Sequence, residues 1–345
     1  MRVALAVLVL GSVGMIASPP IAADGRAQTL LEYGTQCARE IGEIPPFDCN
    51  DGTDIPITVD GKTPGPDESP RYCDRPSLLS PDKDEPWQCL QHSKVLNLSR
   101  GATQISAYCR QNHVRHDLRP NFDAVMIVLH HTGNGKTCWF QSRPPVDLDF
   151  GINASRVPPP NETKPPAGKP AAVEFWMTPG EIAAKPPQTC VSCHDAGPFI
   201  QSPYIAQVWD KVPTDPWGKY SSIGPAFESH HLKVITTPGN TCVGCHRMGS
   251  EQTCNFYLGF SAGRAALSFP HVRPQGNDGF ANTYPMSHWM PVNNNMSEEE
   301  WNAANLKSVE ALLSCCRNPD GPDCNVSPIA TGDKARRNPR SPLAR

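Results

Sequence analysis

The chain contains one five-residue pattern twice, as Cys190-Val191-Ser192-Cys193-His194 and as Cys242-Val243-Gly244-Cys245-His246. In both copies two residues separate the cysteines, a histidine follows the second cysteine directly, and a threonine precedes the first. Two thiols at this spacing can reach one edge of a single bound group, while the adjacent imidazole binds a metal from one side. The repeat therefore predicts two separate sites with the same chemistry.

The C-x-x-C-H spacing is the attachment sequence of a covalently bound haem c. The two thiols add across the vinyl groups of the porphyrin, and the histidine binds the iron from the proximal side. We therefore predict two covalently bound haem c groups, with proximal iron ligands His194 and His246. The thiols that attach them are those of Cys190, Cys193, Cys242 and Cys245.

Two other uses of these cysteines are less consistent with the sequence. A zinc site of four cysteines usually places its two pairs about 15 to 20 residues apart, whereas 48 residues separate Cys193 from Cys242. A thioredoxin-like redox pair would lie near a βαβ pattern, and neither motif does.

At these two motifs the sequence resembles the c-type cytochromes, specifically a di-haem member, over residues from about 173 to 316. The resemblance implies an electron carrier between redox partner proteins. Two alternatives stay open: a di-haem enzyme similar to the bacterial cytochrome c peroxidases, and a protein whose front domain binds a ligand while the haems relay. We favour electron transfer because the motifs begin only 52 residues apart, which leaves little room for two complete cytochrome domains.

A second axial ligand for one iron is predicted at His230 or His231, which lie between the two motifs. A second imidazole there would give a low-spin haem with two histidine ligands. His271 and the pair His130 and His131, at the end of an apolar run, are alternatives.

For the other iron, Met290 is the best single candidate. Met290 precedes Pro291 and a terminal helix, which is similar to the end of single-domain cytochromes c, where a methionine next to a proline supplies the axial sulfur. A thioether stabilises ferrous iron, and proline stiffens the loop that presents it. His288, two residues earlier, is the alternative ligand.

The N-terminus predicts export. Residues 1–23 combine a charged start, an apolar run and a small-residue end, as in a secretory signal peptide. No later stretch is apolar for long enough to cross a bilayer, and the basic residues are too dispersed to form a nucleic-acid surface. We predict a periplasmic or extracellular protein without a membrane span or a nucleic-acid partner.

The ten remaining cysteines predict disulfides, because exported chains fold in an oxidising compartment. Their even numbers in the two parts of the chain predict bridges that close within each part. Cys315 and Cys316 point about 100° apart on a helix, so we expect Cys254 and Cys324 each to pair with one of them. The other six are Cys37, Cys49, Cys73, Cys89, Cys109 and Cys138.

The predicted fold class is α+β and loop-rich, with a small disulfide-rich domain that has some β-structure, followed by a mainly α-helical di-haem cytochrome c-like domain. Periodicity predicts a helix over 28–41 and strands over 55–59, 122–129 and 137–141, the last two as a hairpin. A capping box at Ser297 predicts a helix to about Ser314. The predicted units are 24–152 (disulfide-rich), 153–172 (proline-rich linker), 173–325 (di-haem) and 326–345 (basic disordered tail).

Overall fold

The computed structural model describes eleven stretches of the chain. They are residues 27–59, 61–68, 70, 89–115, 121–184, 190–200, 203–212, 218–228, 232–254, 258–261 and 295–329. The predicted signal peptide, most of the predicted tail and Cys73 lie outside them.

Ten strands are present in the described residues, and most of them are short. They are β1 (Thr53–Asp54), β2 (Lys94–Asn97), β3 (Thr103–Arg110), β4 (Asn121–Phe122), β5 (Ala124–His131), β6 (Lys136–Gln141), β7 (Ile152–Asn153), β8 (Ser221–Ser222), β9 (Lys233–Thr236) and β10 (Asn325–Pro328).

The α-helices are mostly single turns. They are α1 (Leu30–Glu40), α2 (Ala172–Phe175), α3 (Pro179–Ala183), α4 (Cys190–Cys193), α5 (Pro203–Ala206), α6 (Leu258–Ser261), α7 (Glu298–Trp301) and α8 (Lys307–Arg317). A π-helical turn, Asn302–Leu306, joins α7 to α8. None of the described helices is long and apolar enough to cross a membrane.

The central element is a six-stranded sheet in the order β1-β2-β3-β5-β6-β8. Its strands pair antiparallel, except that β8 runs parallel to β6 and pairs Ser222 with Thr137. Alternate residues of β3 and β5 are buried, as expected when one face of a sheet covers a core. The hairpin of β5 and β6 confirms the strands predicted over 122–129 and 137–141.

Helix α1 covers one face of this sheet and confirms the helix predicted over 28–41. Thr29 and Glu32 form a capping box at its start, which satisfies backbone N–H groups that lack a helical partner. Tyr33 packs against Phe140 at a ring separation of 5.2 Å. The strand predicted over 55–59 is wrong: β1 ends at Asp54, and the next residues bury apolar side chains without a ladder.

Three hydrophobic clusters are present in the described residues: a main core, a smaller core around α8, and a third that joins Ile55 and Ile57 to Tyr204. The main cluster combines α1, the sheet, Trp176 and Val191, so it includes residues from both predicted domains. The smaller cluster surrounds α8 and contains Trp301, Leu312 and Cys254. Whether the two parts of the chain are separate domains stays a prediction.

The mainly α-helical second domain is wrong as a fold class. Among the described residues after 172, helices before α7 are four or five residues long, and β8 joins the sheet of the first part. The 38 prolines of the chain account for much of this, because proline removes a backbone donor and stops a helix. The structure is a mixed α and β fold around a sheet, stapled by disulfides.

The terminal helix was predicted correctly. Ser297 and Glu300 form the capping box, and the helical run continues through the π-turn to Arg317. Trp301, Val309, Leu312 and Leu313 are buried on one face, as their spacing predicts. Beyond this helix, β10 pairs with β9 and Ile329 is buried, so regular structure extends into the first residues of the predicted tail.

The disulfides confirm the predicted pairing within each part of the chain. In the second part, Cys254 pairs with Cys316 and Cys315 pairs with Cys324, as predicted. In the first part, the bridges are Cys37–Cys138 and Cys49–Cys109, and Cys89 is also disulfide-bonded. Several structural disulfides in one chain indicate folding outside the reducing cytoplasm.

Candidate functional site

The first motif forms a single helical turn against the main cluster. In α4 the N–H of His194 donates to the carbonyl of Cys190 at 2.9 Å. Residues three apart lie on the same side of a helical turn, so the turn places Cys190 and Cys193 on one side. Val191 is fully buried in the main cluster and anchors the turn.

The imidazole of His194 is fixed by contacts on two sides. Its Nδ1 donates to the backbone carbonyl of Pro198 at 2.9 Å, and its ring lies 4.6 Å from that of Trp139 on β6. The hydroxyl of Tyr220 donates to the carbonyl of His194 at 2.8 Å. Within the described residues Nε2 has no hydrogen bond, so this nitrogen is the one available to a metal.

Burial sets the protonation states at the first motif. It lowers the pKa of His194 to about 4, so the ring is neutral near pH 7, which is the form that binds a metal. Burial also raises the pKa of the Cys190 thiol to about 12, and the hydrogen bond within its own residue opposes this. The thiol is therefore protonated at neutral pH.

The second motif forms a similar turn against α8. Cys242–Gly244 is a 3₁₀ turn, and the N–H of His246 donates to the carbonyl of Cys242 at 3.0 Å. The hydroxyl of Ser308 on α8 accepts from the N–H of Thr241 at 3.0 Å. Asn240 connects the same elements, since its Oδ1 accepts from the N–H of Cys242 and its Nδ2 donates to the carbonyl of Ser308.

Among the described residues, the imidazole of His246 has no counterpart of the contact between His194 and Pro198. Burial lowers its pKa, and neither ring nitrogen is hydrogen-bonded within the described part of the chain. Burial also raises the pKa of the Cys242 thiol, against a hydrogen bond from Thr241. Both motif histidines are therefore neutral at pH 7.

The four cysteines of the two motifs remain thiols in a chain whose other described cysteines are disulfide-bonded. They are Cys190, Cys193, Cys242 and Cys245. Among the described residues, no three His, Cys, Asp or Glu side chains are close enough together to hold a metal ion. The four thiols therefore do not form one zinc site in this structure.

Most of the predicted distal ligands lie outside the described residues. They are His230, His231, His271, His288 and Met290. Each stays a prediction.

The remaining alternatives, His130 and His131, lie at the end of β5. Burial lowers the pKa of His130 to about 4, its Nδ1 is 2.9 Å from Thr137 Oγ1, and its ring meets the edge of Phe199. His131 Nδ1 accepts from the N–H of Gly133 at 3.1 Å and so supports the hairpin turn. These contacts give both residues a structural role.

Sequence reasoning missed the residues that support the motifs from a distance in the chain. Trp139 was predicted only as part of a strand, and Ser308 only as part of a helix. Nothing local in the sequence indicates that the first contacts His194 or that the second bonds to Thr241. The carbonyl acceptor at Pro198, four residues after His194, is the one contact close enough in sequence to have been considered.

A cavity of about 130 Å³ in the first part of the chain bears on the ligand-binding alternative. His92, Lys94, His113 and Arg115 line it. The charges of Lys94 and Arg115 are already neutralised by ion pairs with Asp54 and Asp123 respectively. The cavity therefore gives no specific support to a charged ligand.

Comparison with known proteins found no match: no family model, curated protein or solved structure is similar to the chain.

Proposed function

We propose that this chain is an exported electron-transfer protein that carries two covalently bound haem c groups. The observation that carries the proposal is the selectivity of the cysteines. In the described residues the nine other cysteines are disulfide-bonded, whereas none of the four C-x-x-C-H cysteines is. In a chain that folds in an oxidising compartment, something must keep those four cysteines out of disulfides. Thioether formation with a haem would do so.

The residues present at each motif fit a haem. Cys190 with Cys193, and Cys242 with Cys245, would supply the thioether sulfurs, and each pair lies on one turn. His194 and His246 would supply neutral imidazoles with Nε2 available. When bound, a haem supplies one-electron chemistry at its iron, and the protein adjusts its potential through the axial ligand, burial and hydrogen bonds.

The surrounding residues have separable roles in this proposal. The carbonyl of Pro198 holds Nδ1 of His194, which fixes the ring orientation and makes the ligand more basic. Trp139, which is 1 % exposed, excludes water from the same ring. At the second motif, Ser308 and Asn240 fix the start of the turn rather than the imidazole.

The disulfides support an oxidising compartment, and the N-terminal sequence supports export to the periplasm or the extracellular space. The partners of this protein would be redox proteins.

The test is the haem content of the protein exported from a host that matures cytochromes c. We expect two haems per chain in a pyridine haemochrome assay, and an intact mass increased by two haem masses. The variant Cys190→Ala with Cys193→Ala should carry one haem, and so should Cys242→Ala with Cys245→Ala. As a matched control, Cys315→Ser with Cys324→Ser removes two cysteines from a disulfide and should keep both haems.

Fewer than two haems in the native chain would overturn the proposal. Rapid peroxide turnover by the reduced protein, together with a high-spin ferric signal, would instead favour the peroxidase-like enzyme, because that chemistry needs one open iron position.

A further inference from the structure

The residue that directly follows the first motif binds the chain that follows the second. Asp195 comes after His194 and is 1 % exposed. Its carboxylate accepts hydrogen bonds from the N–H of Glu251 at 2.6 Å, the N–H of Thr253 at 3.2 Å and the hydroxyl of Thr253 at 2.5 Å. Three donors from one short stretch therefore converge on one buried carboxylate.

The residue that directly follows the second motif makes the reverse contact. Arg247 comes after His246, and its guanidinium donates to the carbonyl of Gly218 at 2.6 Å and to that of Ala196 at 3.4 Å. Ala196 is the neighbour of Asp195, and Gly218 lies two residues before Tyr220, which bonds the carbonyl of His194. Each motif is thus followed by a charged side chain that holds the surroundings of the other.

Residues 247–253, which we call the bridging segment, have little freedom between these contacts. Gly249 pairs with Val234 of β9, and the Asp195 carboxylate occupies the space that a Cβ at Gly249 would need. Directly after the segment, Cys254 is bonded to Cys316 of α8. The segment is therefore fixed to Asp195 on one side and to β9 on the other.

The contacts of Asp195 and Arg247 matter because the two motifs are supported by different hydrophobic clusters. Val191 of the first motif belongs to the main cluster, whereas Cys242 and Val243 pack against the smaller cluster. Strand β9 lies between the two, with Val234 on the main cluster and Ile235 in the smaller one. The charged contacts of Asp195 and Arg247 connect the clusters at the motifs themselves.

The geometry suits a permanent contact. The Asp195 carboxylate is buried, and each of its two oxygens accepts at least one hydrogen bond from the bridging segment.

We propose that Asp195 and Arg247 are positioning residues that hold the two haem sites at a fixed separation, so that an electron passes from one site to the other within one chain. The inference rests on the proposed function. One electron leaves the reduced site and enters the oxidised one, and no further reactant is needed. Its rate depends steeply on separation, so a hinge between the two cores would slow it.

The experiment compares Asp195→Asn, Arg247→Gln and the double variant with two controls. Asp320→Asn and Lys307→Gln remove the same charges from exposed positions. Haem content, amide hydrogen exchange at Glu251 and Thr253, and the rate of electron equilibration between the sites after photoreduction are measured.

We expect both haems to be retained in all variants. Exchange at the two amides should become about ten- to a hundredfold faster in Asp195→Asn, the loss expected for a charged hydrogen bond. Since the two contacts act in parallel, each single variant should slow equilibration moderately, and the double variant by more than the product of the two, at least about tenfold. The controls should match the native protein.

Unchanged exchange in Asp195→Asn would overturn the contact, with or without haem. Faster exchange with an unchanged equilibration rate in the double variant would overturn the positioning role. A native chain with fewer than two haems would overturn the proposed function and this role with it, while the exchange result would still decide whether Asp195 holds the bridging segment.

Discussion

The two motifs carry the same five-residue pattern but rest on different supports. The first lies against a six-stranded sheet, with Trp139 against its histidine and the Pro198 carbonyl on Nδ1. The second lies against α8, with Ser308 and Asn240 bonded to its turn and no described anchor on its imidazole. The shared C-x-x-C-H pattern therefore forms a local turn in both places, while the rest of the fold determines how rigidly each histidine is held.

If the chain carries the two haems proposed above, this difference predicts different reduction potentials for them. A carbonyl that accepts from Nδ1 makes the imidazole a stronger donor to a metal, which favours the oxidised iron. We expect the haem at His194 to have the lower potential of the two when their distal ligands are of the same type. In a redox titration that follows each haem separately, a lower potential at His246 would contradict the role given to the Pro198 carbonyl.

The largest effect should come from the tryptophans that support each region. Trp139→Ala removes a buried ring from the main cluster and should lower the free energy of unfolding by about 3–5 kcal/mol, with a spectral change at the first haem. Trp301→Ala is the counterpart in the smaller cluster, and it should change the spectrum of the second haem only. Denaturant unfolding and haem-resolved spectra measure both.

The conservative variant Trp139→Phe separates the packing of Trp139 from its hydrogen bond. It keeps an aromatic ring beside His194 but loses the indole N–H that donates to Ser222 at 2.9 Å. We expect a cost of only about 1 kcal/mol and a first haem close to native. A change at both haems in either alanine variant would show that the two supports are not independent.

The elements predicted correctly from sequence are those specified by neighbouring residues. The capping box at Ser297, the β5–β6 hairpin and the apolar face of the terminal helix depend on side chains that are close together in the sequence. The cysteine pairing of Cys315 and Cys316 followed from the angle between adjacent helical positions. Each of these depends on local geometry alone.

The predicted fold class was wrong because it was inferred from two short motifs, whereas the fold depends on contacts between residues far apart in the chain. Resemblance at two motifs implied a helical domain, yet Ser222 pairs with Thr137 of the sheet from 85 residues away in the chain. No periodicity marks a two-residue strand such as β8, and its partner is set by tertiary packing. The supports of His194 and Thr241 were missed for the same reason.

The next largest effect should come from the Cys254–Cys316 disulfide, which links two residues that are 62 positions apart in the chain. Removing it as Cys254→Ala with Cys316→Ala should cost about 4 kcal/mol by the loop-entropy relation. The loss should fall on the second region, because the disulfide joins the residue after the bridging segment to α8. Hydrogen exchange that increases in α8 but not in β5 would establish this, and equal increases in both would contradict it.

Lowering the pH should destabilise the region around the sheet, because His130 is buried there. The pKa of His130 is about 4 in the folded chain, with burial as the main cause and the charges of His131 and Arg247 adding to it, against about 6.5 when unfolded. Its contribution to stability is therefore complete above about pH 6.5 and is lost as the pH falls towards 4, by on the order of 3 kcal/mol.

The measurement for His130 is the free energy of unfolding at a series of pH values, for the native chain and for His130→Gln. The variant should show a flatter dependence between pH 4 and 6.5. His131→Gln is the comparison variant, because it removes a charge that adds to the lowering of the His130 pKa but leaves the buried His130 ring in place, so it should flatten the dependence less than His130→Gln does. An equal slope in the native chain and His130→Gln would assign the acid sensitivity to other groups.

A smaller effect than that of the disulfide should come from Ser308, which supports the second motif through one hydroxyl. Ser308→Ala removes the acceptor of the Thr241 N–H and hydroxyl, each at 3.0 Å, and should cost about 1–2 kcal/mol because the backbone donor at Thr241 loses its partner. Ser314 is exposed on the same helix, so Ser314→Ala controls for helix propensity.

Since the Ser308 hydroxyl touches only the start of the turn, the second haem should stay attached while its potential shifts and the first haem keeps its native value. Circular dichroism on unfolding and a haem-resolved titration decide the matter: a shift at the first haem would mean that the two supports communicate through α8 rather than through the bridging segment.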